Sequence, residues 1–126
     1  MLRWLKQMFS KQKAPDREPP IQALDSIDII GQRHDGGVDL AIVDSNPEDA
    51  SPETRELLRR KITGYLQAIK SDAFQEQYGF PPAEQTRIVV ACLTEPNPEL
   101  ARWVEEWQPW VAANRARLIV SVGVPD

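Results

Sequence analysis

The chain has 126 residues, a formal net charge of −4 from 15 Lys or Arg against 19 Asp or Glu, 41% hydrophobic residues and one cysteine. That length suits a single domain of about 105 residues with a real core, and a lone cysteine excludes an internal disulfide and makes a reducing compartment the default. The acidic balance argues against nucleic-acid binding by the body of the protein, and no apolar run approaches the roughly 18 residues of a membrane-spanning helix.

Residues 1–13 (MLRWLKQMFSKQK) hold four basic residues and no acid, which leaves the rest of the chain at 11 basic and 19 acidic residues, a balance of −8. Wound at about 100° per residue, Met1, Leu2, Trp4, Leu5, Met8 and Phe9 share one face, and Arg3, Lys6, Gln7, Ser10, Lys11 and Lys13 fill the other. The pattern predicts a separate basic amphipathic helix, with Leu2, Arg3, Trp4, Leu5, Lys6, Met8, Phe9, Lys11 and Lys13 as membrane or partner contacts. Three roles fit it: a helix lying on an anionic membrane surface, a helix docked in a partner's groove, or a helix packed back on its own domain. No continuous apolar core or small-residue cleavage site marks it as a secretory signal. Residues 14–20 (APDREPP) carry three prolines and three charges and cannot continue a helix. A stiff Pro-rich linker over 14–23 favours an arm that reaches outward from a single α/β domain at 24–126.

Within that domain, Ile27 and Ile29, then Val38, Leu40 and Ile42, alternate with other residues around His34-Asp35-Gly36-Gly37. This predicts a β-hairpin over 26–33 and 38–44, with Arg33 opposite Val38, Asp28 opposite Val43 and Ile27 opposite Asp44. Ser51-Pro52-Glu53 is a helix start, followed at helical spacing by Leu57, Leu58, Ile62, Tyr65, Leu66 and Ile69 to a stop near Lys70. Ser71-Asp72 caps a further short turn through Phe74 and Tyr78, closed by Gly79 and Pro81-Pro82. Residues 88–93 (IVVACL) read as a strand covered on both faces. Asn97-Pro98-Glu99 starts a second long helix through Leu100, Trp103, Val104, Trp107 and Val111, where Pro109 should kink the helix or end its regular part and Asn114 should be a left-handed cap. Residues 118–122 (LIVSV) form a last buried strand. The order β-β-α-β-α-β predicts an α/β fold bordering on α+β, a small four-stranded mixed sheet with the first strand antiparallel and the other three parallel.

Ser26-Ile27-Asp28, Gly37-Val38-Asp39-Leu40-Ala41-Ile42-Val43-Asp44, Lys61-Ile62 and Tyr65-Leu66 resemble a family of small bacterial α/β proteins of unknown function, with a D-L-A-I-V-D strand and a K-I-x-x-Y-L helix. The resemblance covers roughly residues 24–122 and omits the leader. It implies a bacterial source and supports the α/β fold, and it transfers no site.

Ligands of open α/β sheets collect beyond the carboxyl ends of the parallel strands. The predicted register puts Asp25, Asp28, Asp44 and Glu95 on that rim, where hard oxygen ligands suit Mg²⁺ or Ca²⁺; the plainer reading is turn chemistry around Asp44-Ser45-Asn46-Pro47. His34 sits in a polar turn. Cys92 lies in the most apolar strand, where a thiol is inert packing. Trp103 and Trp107 belong to a core stripe, and Trp110, beyond Pro109, is either an exposed partner contact or a cap on the core. No nucleophile elbow, phosphate loop, dinucleotide fingerprint or zinc spacing is present. The expectation is a non-enzymatic binding or accessory protein of the cytoplasm with no cofactor, tethered by its first helix to the inner membrane face or to a protein partner. Its rivals are an acidic immunity-type protein that neutralises a basic toxin and an acid-dependent metal hydrolase using Asp28, Asp44 and Glu95.

Overall fold

The computed structural model describes residues 3–6, 21–22 and 27–123. Its helices start where the sequence supplies a side-chain acceptor. Ser51 Oγ accepts from the Thr54 N–H at 3.2 Å to open α1 (Pro52–Ile69), and Ser71 Oγ does the same for Phe74 in α2 (Asp72–Tyr78), also at 3.2 Å. Asn97 Oδ1 accepts from Glu99 at 2.9 Å at the head of α3 (Pro98–Ala113). Each cap satisfies an N–H that the first turn leaves without a partner. Gly79, at φ 77°, closes α2 in the left-handed region, a conformation that glycine adopts without a Cβ clash.

Five strands form one sheet in chain order: β1 (Arg3–Lys6), β2 (Ile29–Gln32), β3 (Val38–Asp44), β4 (Thr86–Cys92) and β5 (Arg117–Val122). The first two pairings are antiparallel and the last two parallel. The α/β class, the four-stranded mixed sheet of the domain and its order of elements are therefore as the sequence predicts. Right-handed crossovers that advance in one direction along a sheet put their helices on one side. In agreement, Val38, Leu40, Ile42, Ile88, Val90, Cys92 and Leu118 share a single buried cluster with Leu58, Ile62, Tyr65 and Ile69 of α1 and Leu100, Trp103, Trp107 and Val111 of α3. Arg55 stands over the Trp103 and Trp107 rings at 6.0 and 5.1 Å, joining α1 to α3 at the core's rim.

Four local expectations are corrected. Arg3–Lys6 is a strand, with Trp4 opposite Gly31 and Leu5 opposite Ile30, and not part of an amphipathic helix. The outer edge of β2 offers unpaired main-chain groups that a strand satisfies and a helix cannot. Leu2, Met8, Phe9, Lys11 and Lys13, the remaining leader contacts, lie outside the described residues, as does Asp25. The hairpin is shifted by one position: Gln32, not Arg33, faces Val38, and Ile29 faces Ala41. The cause is the loop, where Arg33 N–H donates to Gly37 O at 2.8 Å and Gly36 N–H to Arg33 O at 3.0 Å, with Gly36 at φ 90°; this bulged turn removes Arg33 from the ladder. Helix α3 continues through Pro109 to Ala113, so of the two expected effects Pro109 does not end it. Pro109 is exposed, so the carbonyl one turn back, which it cannot satisfy, can turn to water. The left-handed residue after α3 is Arg115, at φ 75°, while Asn114 stays at φ −111°.

Candidate binding site

The polar residues of the resembling motifs are engaged inside the fold. Lys61 is fully buried on the α1 stripe, and its Nζ donates to Asp28 Oδ1 at 2.8 Å and to Gln22 O at 2.5 Å. The Asp28 Oδ2 accepts from Val43 N–H at 2.9 Å. Tyr65 Oη accepts from Asp28 N–H at 2.8 Å and donates to Ala41 O at 2.7 Å. Asp28 and Tyr65 together thus continue the β2–β3 ladder beyond its last residue pair. Burial, reinforced by the Asp28 charge, pushes the Tyr65 hydroxyl far above its ordinary range, which keeps it a neutral donor.

The supposed acidic rim is dispersed. Asp28 faces Lys61; Asp44 is buried and folds onto its own turn, accepting from Asn46 N–H at 3.1 Å; Glu95 is exposed. Among the described residues no three His, Cys, Asp or Glu side chains gather as they would around a metal ion. Burial raises the Asp44 carboxyl to about 6, against the lowering bond from Asn46. Burial also takes the Cys92 thiol up to about 12, helped by the Asp44 and Glu95 charges, consistent with packing and not reactivity. His34 is exposed in the hairpin loop, and Trp110 is half-buried against the core, edge-on to Trp107 with ring centroids 6.4 Å apart.

On the sheet face away from the helices, Asp39 holds two arginines. Arg87 meets it with Nε at 2.7 Å and Nη2 at 2.6 Å, and Arg33 Nη1 donates to its Oδ1. A second nitrogen of Arg33, Nη2, donates to Gln85 O at 3.0 Å, and the contact with Asp39 holds the Arg87 guanidinium above its ordinary range. Gly37 makes room for this: a Cβ there would fall 2.6 Å from Gln85 O and collide with the Arg33 guanidinium.

Beside this cluster lies a cavity of about 200 Å³, with Asp39 and Arg87 at one end, Val89, Ile119 and Ser121 along it, and Val122 and Gly123 at the other end. It runs beside β5, the edge strand. Gly123 N–H donates to Cys92 O at 2.7 Å, so the odd-numbered residues of β5 direct their main-chain groups at β4 and the even-numbered ones direct theirs outward. Leu118 is already covered. Gln108 of α3 donates through Nε2 to Leu118 O and accepts from Leu118 N–H at 3.4 Å, a side-chain amide acting as one residue of a neighbouring strand. Val120 and Val122 come next, with no described element beyond them, and Val122 is 57% exposed.

Lys61 and Asp39 were both passed over as site residues in the sequence; the signals that mark them are a cation at helical spacing beside Leu58 and Ile62, and an acid between Val38 and Leu40 inside a strand. Neither the covered Leu118 nor the open Val120 and Val122 had a sequence signal, because strand order decides which strand is an edge.

A family of unknown function, DUF6572, matches residues 20–123. The chain belongs to DUF6572. The match takes in β2 to β5 and all three helices, with the Asp28–Lys61–Tyr65 network and the β5 edge, and leaves β1 outside. No curated protein and no solved structure matches the chain. Among the described residues no helix is long and apolar enough to cross a membrane.

Proposed function

We propose that this DUF6572 protein is a non-enzymatic binding protein that meets a protein partner along β5 and the adjoining cavity. What carries the reading is a contrast in how polar groups are used. Lys61, Asp28, Tyr65, Asp39 and Arg33 are all engaged within the fold, whereas Val120 and Val122 present outward main-chain groups beside an apolar and polar-lined cavity. A protein surface of that composition fits recognition better than bond-making chemistry. Since β2 engages Arg3–Lys6, the proposal places binding at β5 and not on a helical tether.

The test is photo-crosslinking in the source organism, with p-benzoylphenylalanine at Val122 and, as a control at an exposed residue outside β5 and its cavity, at Glu53. A protein adduct at position 122 that is absent at position 53 is the expected result. Equal adducts at both positions, or none, would overturn the proposal.

A further inference from the structure

Resting on that reading, we infer that β5 binds an extended segment with acidic residues at one end, which adds to the sheet as a sixth strand. Three observations combine. The first is the open edge itself: Leu118 is closed by Gln108, so main-chain pairing is left to Val120 and Val122, and a short added strand is what the surface admits. The alternation of β5 puts Ile119 and Ser121 on the cavity side, where they flank any side chain that the added strand directs into it.

The second is charge. Arg115 and Arg117 are exposed at the start of β5, and Arg117 is the register neighbour of Arg87. Among the described residues no carboxylate pairs with Arg115 or Arg117. Asp39, in register with Arg87 and Arg117 across the sheet, is taken by Arg33 and Arg87. On a chain of net charge −4, this is a local excess of cations without their counter-charge, which selects an acidic occupant and disfavours a basic one.

The third is direction. Antiparallel pairing is the more stable arrangement for an added strand, and it brings the C-terminal end of the guest to the N-terminal end of β5, where Arg117 stands. The occupant is therefore a partner segment with alternating apolar residues followed by Glu or Asp. Its backbone pairs with Val120 and Val122, and its acids meet Arg117 and Arg115.

The experiment uses the full chain and two blocked hexapeptides, Thr-Val-Thr-Val-Glu-Glu and its Lys-Lys counterpart, with amide exchange followed by NMR at low salt. The acidic peptide is expected to slow exchange at Val120 and Val122 about tenfold or more at saturation and to bind about tenfold more tightly than the basic one. Val122→Pro removes an outward N–H that β4 does not use, so it leaves the fold intact, checked by thermal unfolding, and is expected to weaken the acidic peptide about tenfold. Arg117→Glu should reverse the charge preference. Unchanged exchange at both valines, equal affinity for the two peptides, or wild-type binding by Val122→Pro would each overturn the inference. A photo-adduct at position 122 without protection of these amides would sink strand addition and leave the protein-binding proposal standing.

Discussion

Asp44 is a carboxylate whose environment disfavours its charge. It is buried at the carboxyl end of β3, and its acid is raised from 3.8 to about 6. Between those values the folded chain keeps a proton that the unfolded chain has released, so stability falls as pH rises. Below pH 4 this group imposes no cost, and above about pH 6 it imposes all of it, on the order of 3 kcal/mol. Asp44→Asn keeps an oxygen for the Asn46 N–H. It should therefore raise stability at pH 7 by up to about 3 kcal/mol and flatten the pH 4 to 6 slope in urea unfolding. Lys61 gives the opposite outcome. Lys61→Met leaves Asp28 without its cation and should cost about 3–5 kcal/mol, seen as a lower urea midpoint. Tyr65→Phe, which strands Asp28 N–H and Ala41 O, should cost less, about 1–3 kcal/mol. The Lys-Ile-x-x-Tyr-Leu spacing was legible as a helix motif. That its two polar members end a sheet ladder was not, because their partners lie 33 and 24 residues away in the chain.

At the scale of elements, helix starts were read correctly because N-caps are local, an acceptor and then a proline or an acid within four residues, whereas the left-handed residue after α3 lies one position beyond the predicted Asn114. The hairpin was read correctly in place and wrongly in register, since Gly36-Gly37 admits several loops whose strand pairings differ by one residue. Gly37 itself is fixed by a distant contact, the Arg33 and Gln85 pair that a side chain would displace. Gly37→Ala should cost about 1–3 kcal/mol by this overpacking and should release Arg33 from Asp39, visible as loss of any slowly exchanging Arg33 side-chain signal. The leader misled most. Its apolar and basic residues fit a helical wheel, yet Arg3–Lys6 meets a sheet edge in need of a partner, and a tertiary vacancy outweighs a short helix, which is marginal alone.

For the whole molecule, topology was legible and exposure was not. The strand–helix–strand repeats gave parallel pairing, but only the assembled order β1-β2-β3-β4-β5 shows that both long helices share one side and which edge remains. That same order has a bearing on biosynthesis. Every strand pairs with the strand before it in the chain, so the sheet can grow in the order in which the ribosome delivers it, with no strand having to insert between two already joined. The exposed moment falls between β4 and β5. Until Arg117–Val122 emerges, Thr86–Cys92 (TRIVVAC) is itself an edge, apolar along five consecutive residues, the kind of segment that joins other chains. A chain ending at Asn114 should aggregate at concentrations where the full chain scatters no light, and dynamic light scattering of the two side by side would show it. Gln108, supplied by the helix just made, is waiting beside Leu118, so the finished strand is closed at its first outward position as soon as it docks.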